Sequence, residues 1–180
     1  YWGVRALAAL AAWLARDATR RVEEELATRT CAERVVALLR GAQRAEFEHA
    51  LPPLRDALER SPLFAFALLR VGSNNDDDAD VDSLAGKRRQ RRHAFAREIA
   101  RRLRRHTSAI VRKALLEILR AALKAATHPR TLLVQADLVS TLEKLARDTG
   151  QVLVRDLARS ILSARYADDE GAPPSFSIET

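Results

Sequence analysis

Methionine is absent from the 180 residues, cysteine occurs once, glycine and proline six times each, and aromatic residues make up only 5%. With no methionine anywhere, Tyr1 is not expected to stand near a native start, and the chain reads as a segment of something longer. The lone Cys31 can neither close an internal disulfide nor hold zinc by itself, which suits a reducing compartment. Scarce glycine and proline beside ample leucine exclude a collagen-like fibre and global disorder. The longest apolar run, Ala6 to Ala15, is half of the roughly 20 residues that a membrane-spanning helix needs. Also missing are a glycine-rich phosphate loop, a kinase catalytic-loop string, an Asp-Phe-Gly triplet and a nucleophile elbow, so no catalytic residue is expected.

What is present is helix-forming. Ala, Leu and Arg make up nearly half of the chain, and all three rank among the best helix formers, whereas β-branched and aromatic residues are few. The class is therefore all-α. At 47% hydrophobic, the chain can build one sizeable core but not two comfortable domains. The net charge of +7 is uneven: between Lys87 and Arg105 stand ten Lys or Arg residues and one acid, Glu98.

Apolar spacing predicts helices over about Gly3 to Ala15, Val22 to Leu26 and Val35 to Leu39, with Thr30 and Glu33 forming a capping box. Pro52 and Pro53 suit a first helical turn, so a helix is expected from there to Arg60, with a kinked extension before Pro52 as the alternative. Ser61 and Pro62 open the next, which Gly72 closes. Residues 72–92 hold five aspartates between Asp76 and Asp82, then the cations, and are expected to be a mobile, disordered acidic and basic insertion. Phe95, Ile99 and Leu103 then mark a basic amphipathic helix. Ser108 is read as the cap of a helix to Ala125, Pro129 as the start of a short helix, and Asp137 as the cap of another to Ala146. The last helix is expected over Gln151 to Ala164. Residues 1–165 form one helical domain in this reading, and 166–180, with Pro173 and Pro174, a flexible tail.

Three helices carry similar strings: GVRALAALAAWL at Gly3, IVRKALLEILRAAL at Ile110 and LVRDLARSIL at Leu153. Val111 and Val154 stand 43 residues apart, and Val4 and Val111 stand two such periods apart once the 21-residue insertion is set aside. A fourth copy is then due at Phe47. Such a period matches armadillo or HEAT arrays, here an α-solenoid of about four units, in which stacking completes the core of each unit. An irregular single-domain bundle is the alternative, because a chain rich in Ala, Leu and Arg matches itself easily. Trp2, Trp13 and Phe47 are read as core.

The opening string YWGVRALAALAAWLARDATRRVEEEL, the HPRTLLVQADL stretch at His128 and the GQVLVRDLARSIL stretch at Gly150 resemble the C-terminal armadillo-like region of fungal septation-initiation protein kinases, relatives of the plant MAP kinase kinase kinase epsilon. The resemblance implies a noncatalytic region of a cytoplasmic serine/threonine kinase acting in mitotic exit, cytokinesis and septum formation. It also implies docking to a Ras-like small GTPase and its scaffold at the spindle pole body. These are packing motifs, and no binding residue carries over. The chain departs from the pattern at Gly72 to Arg92, where a short turn is expected, and at Asp148 to Gly150, where relatives are longer.

Two sets of residues are candidates for contact with a partner. In an armadillo stack the third helix of each unit lines the concave face, so Arg5, Arg112 and Arg155, with Arg120 and Arg159, are expected to form a ladder facing a partner protein. The other reading has them facing water or pairing within the stack. The basic patch comprises Lys87, Arg88, Arg89, Arg91, Arg92, Arg97, Arg101, Arg104 and Arg105. It is open to four readings: a solvated face balanced by the preceding aspartates, a dock for an acidic protein surface, nuclear import through KRRQRR or nucleic-acid contact, and binding to anionic membrane. Phe95 alone is interleaved with these cations, which weakens the nucleic-acid reading. Homodimerisation is a further alternative. The four histidines are too scattered for a metal site, and no cofactor is expected. Asp76, Asp78 and Asp80 imitate a calcium loop, but Val81 and Lys87 replace its glycine and closing glutamate.

Overall fold

The computed structural model describes residues 2–16, 21–41, 44–71, 93–148 and 150–167. Among them stand ten helices and no strand. They are α1 (Trp2–Leu14), α2 (Arg21–Leu26), α3 (Arg29–Gly41), α4 (Arg44–Arg60), α5 (Pro62–Arg70), α6 (Ala94–Arg105), α7 (Ala109–Leu123), α8 (Pro129–Gln135), α9 (Val139–Arg147) and α10 (Val152–Ala167). The expected insertion at 72–92, Gly72 included, lies outside the described residues, as does 168–180. The last helix runs to Ala167, three residues beyond the expected end.

Helix α4 departs most from expectation. It begins at Arg44 and carries Pro52 and Pro53 in its interior, where each proline removes a backbone donor and crowds the preceding turn. Phe47, Ala50 and Leu51, in the turns before the prolines, are all buried. The apolar area they remove from water holds the helix together across the missing bonds.

Capping also differs in detail. α3 starts after Thr28, whose hydroxyl accepts from the Cys31 amide at 3.3 Å and donates to the Glu25 carbonyl at 2.8 Å. Thr30 is already helical, and Glu33 pairs with Arg29 one turn back at 2.9 Å, so the expected capping box moves two residues upstream and loses its glutamate. Ser61, the single residue between α4 and α5, caps as expected: its hydroxyl accepts from the Phe64 amide at 3.0 Å and donates to Glu23 Oε1 at 2.9 Å. Ser108 occupies the cap position of α7 without a side-chain cap bond. Asp137 sits at φ 56°, a left-handed conformation that Asp tolerates. It takes the Ser140 and Thr141 hydroxyls through its carboxylate and carbonyl, while Leu138 is the residue at the cap.

Helices α1, α4, α7 and α10 form a row, each packing extensively on the next. Residues 43 apart in the expected period fall near the start of each: Val4, Phe47, Val111 and Val154. The last three are buried. Against the row pack the shorter helices, with α5 touching α2, α3, α4, α6 and α7, and α9 lying along α10. The core is one contiguous cluster that runs from Leu7 to Ile161. Phe47 lies in it as expected, whereas Trp13 is 60% exposed on a helix that packs chiefly on α4 and α2. The Trp2 side chain lies outside the described residues. Arg55 on α4 reaches Glu117 on α7 at 3.2 Å, and the Asp56 and Glu117 carboxylates hold its guanidinium more firmly protonated than usual. Among the described residues no helix is long and apolar enough to cross a membrane.

The described residues on either side of the 72–92 segment meet: the Ala94 amide donates to the Val71 carbonyl at 3.1 Å. The chain thus leaves α5 and enters α6 at a single point.

Candidate interaction face

The helix richest in arginine, α6, is divided between an inner and an outer set of these side chains. Phe95, Ile99 and Leu103 are fully buried, as their four-residue spacing predicts, but Glu98 and Arg102 share that face and are buried with them. Glu98 accepts from Arg102 Nε at 2.9 Å and from both Arg101 donors, at 2.8 and 2.5 Å. The carboxylate bonds hold the Arg101 guanidinium more firmly protonated. Arg102 also donates to the Leu39 and Arg40 carbonyls at the C-terminus of α3, and its guanidinium lies 4.2 Å from the centre of the Phe47 ring. A carboxylate, the negative end of a helix dipole and an aromatic face together replace the water this cation loses. The His106 ring stacks on the same Phe47, with centroids 5.2 Å apart. The expected basic patch did not include this inner pair, yet the spacing carries the signal: 95, 98, 99, 102 and 103 fall on one helical stripe.

The outer arginines of α6 differ in their engagements. Arg97 donates to the Gln135 carbonyl at 3.2 Å, beside the 2.5 Å contact between His93 Nε2 and Gln135 Oε1. Arg104 binds Asp137 at 2.6 Å, and this bond holds the Asp137 carboxyl below the usual carboxylate range. Arg105 is exposed, with no ion pair among the described residues. Lys87, Arg88, Arg89, Arg91 and Arg92 lie outside the described residues.

The five ladder arginines are brought onto the row in unequal settings. Arg112 on α7 is mostly buried: it donates to the His106 carbonyl at 2.7 Å and to Gln151 Oε1 at 3.2 Å, and stands 3.6 Å from Asp148. It therefore ties the start of α7 to the turn before α10. Arg155, its counterpart on α10, pairs with the adjacent Asp156 at 3.0 Å. Arg159 donates to the Ala146 carbonyl near the end of α9 at 3.2 Å. Arg5 and Arg120 are exposed on α1 and in the last turn of α7. At the corresponding place on α4 stands Glu48, so an acid separates Arg5 from Arg112 along the row.

Clefts open on the surface among the described residues. One of about 540 Å³ lies among α1, α2 and α3, with Gly3, Leu10, Leu38 and Cys31 in its walls. A Cβ at Gly3 would come within 2.8 Å of Leu38 Cδ1, so the glycine lets α1 approach α3 closely there. Partial burial pushes the Cys31 thiol above its usual pKa. Another, about 180 Å³, is edged by Phe66, Arg70, His93 and His128. Among the described residues no three His, Cys, Asp or Glu side chains converge as a metal site.

Comparison with known proteins gives three relatives of low identity. The chain is similar to MAP3K epsilon protein kinase 2 of Arabidopsis thaliana, 26% identical over 173 residues, and to MAP3K epsilon protein kinase 1 of the same plant, 27% identical over 174. It is also similar to the cytokinesis protein sepH of Emericella nidulans, 28% identical over 174 residues. The matches cover 92%, 92% and 94% of this chain but only 11% of the length of each relative. No family model matches the chain, and no solved structure does.

Proposed function

We propose that this chain is a noncatalytic docking region of a serine/threonine protein kinase that acts in cytokinesis, folded as an armadillo or HEAT-type solenoid of about four units. The observation that carries this reading is the row α1, α4, α7, α10, whose members follow one another at the sequence period and pack in that order. In a solenoid each unit contacts its neighbours and completes their cores, which is the contact pattern of these four helices. Similarity that spans nearly all of this chain and a small part of two protein kinases and a cytokinesis protein supports placing it in the noncatalytic part of such an enzyme.

The partner in this reading is a Ras-like small GTPase or a spindle-pole scaffold, met in the cytoplasm at the spindle pole body or septum. Arg5, Arg120, Arg155 and Arg159 contribute the cationic contacts, and Arg112 acts as a strut that keeps α7 and α10 in register. A titration with the cognate septation GTPase, loaded with GTP analogue or GDP at two salt concentrations, tests it. Binding in one nucleotide state that weakens with salt and with Arg155→Glu supports the docking role; no binding in either state overturns it. A second reading, self-association, is favoured by the outward side of α1, where exposed alanines and Trp13 lie uncovered. It predicts that particle mass rises with concentration.

A further inference from the structure

The three residues between α6 and α7, His106 to Ser108, form a junction of several elements. The His106 carbonyl accepts from Arg112, and the Thr107 carbonyl accepts from Gln151 Nε2 at 2.9 Å. The backbone is therefore held while the Thr107 side chain is exposed. Its hydroxyl has no hydrogen-bond partner among the described residues. Several other hydroxyls are occupied: Thr28 and Ser61 cap helices, Thr141 and Ser140 bond to Asp137, and Ser163 donates to the Ser160 carbonyl; Thr107 differs from the remaining exposed threonines in having two arginines just before it. Arg104 and Arg105 stand three and two residues before Thr107, giving the sequence Arg-Arg-His-Thr, found once in the chain. They occupy the final turn of α6, where helices fray, and local opening of that turn, with release of the Arg104–Asp137 pair and of the bonds from Arg112 and Gln151, presents the strip from Arg104 to Ser108 in extended form to an enzyme.

We propose that Thr107 is a phosphorylation site for a basophilic serine/threonine kinase that reads the two arginines. In the step, Thr107 Oγ1 attacks the γ-phosphorus of magnesium-bound ATP. The new O–P bond forms as the bond from that phosphorus to the bridging oxygen breaks; ADP departs and the hydroxyl proton is released. The product places nearly two negative charges beside the N-terminus of the fifteen-residue α7, where Ser108 makes no side-chain cap bond. Arg105 and His106 directly precede the phosphate in sequence, and Arg112, which holds the neighbouring carbonyl, adds a third basic side chain. The carboxylate opposing it is Asp148, 3.6 Å from Arg112. The balance of charges favours the dianion, so modification stiffens the junction of α6, α7 and the turn before α10.

The test uses the full folded chain, magnesium ATP and a purified kinase that prefers two arginines before its target, followed by peptide mass spectrometry and a thermal melt. The expected result is a single phosphate on Thr107 and a raised melting temperature. Thr107→Ser should still be modified, Thr107→Ala should not, and Arg105→Ala, which leaves the fold unchanged, should slow modification at least tenfold. The proposal is overturned by a phosphate on Ser108 or elsewhere, by modification of Thr107→Ala at the original rate, or by modification that requires prior denaturation in urea.

Discussion

Helices α6 and α1 invert what their compositions suggest. Half of the residues of α6 are charged, yet eight of its twelve are buried; α1 carries one charge, yet among its described side chains only Leu7 and Ala11 are buried. The difference lies in neighbours. α6 is met by α3, α5, α7 and α9, whereas α1 packs chiefly on α2 and α4. An aliphatic composition makes burial favourable in proportion to area, but a surface is buried only where another element arrives to cover it. Conversely, Glu98 and Arg102 remain inside because their site supplies a counter-charge, carbonyls and an aromatic face.

The sharpest way to break the comparison is Arg102→Ala, which strands Glu98 in the core beside Arg101 alone. A loss of about 3–5 kcal/mol in urea unfolding is expected. Arg105→Ala, three residues on, should change stability by less than about 0.5 kcal/mol; equal effects would sink the distinction between inner and outer arginines. Glu98→Gln keeps the shape and removes the charge, and should cost about 1.5–3 kcal/mol by weakening the charged hydrogen bonds. Arg112→Ala should cost about 1–2 kcal/mol. Its amide-exchange signature should be faster opening at the start of α10 than in α6, and uniform opening would argue against its role as a strut. Trp13→Ser on α1 is expected to stay within about 0.5 kcal/mol, since the ring is largely in water already.

The smallest expected effect concerns acid. The Asp137 carboxyl titrates below its ordinary value because Arg104 donates to it, so the pair contributes fully above the ordinary carboxylate range. That contribution is lost as pH falls through the lowered value. Both side chains are largely exposed, and the gain is small. Carboxyl NMR should show Asp137 shifting back up in Arg104→Gln; an unchanged titration would remove Arg104 as the cause.

Much of the local structure was legible in the sequence. Three helices of the row, α1, α7 and α10, follow from apolar spacing, and Ser61 with Pro62 marks a helix start through chemistry confined to four residues. Misreadings arose where tertiary burial outweighed local preference, as in α4, where Phe47 and Leu51 carry a helix through two prolines. Trp13 was misread because an apolar stripe does not reveal whether a neighbour exists to cover it. For the candidate face, spacing placed the arginines on the correct helices. It could not show that Arg112 spends its donors on a carbonyl and a glutamine 39 residues away, since such partners meet only after the chain has folded.

The hydrogen bond from Ala94 to Val71 makes this a natural place to divide the molecule. A chain severed within 72–92 yields two polypeptides that share the contacts of α3 and α5 with α6, of α4 and α5 with α7, and the Arg55–Glu117 pair. The two pieces are expected to reassociate through an interface that is the former core, with an affinity that titration of one piece into the other reads.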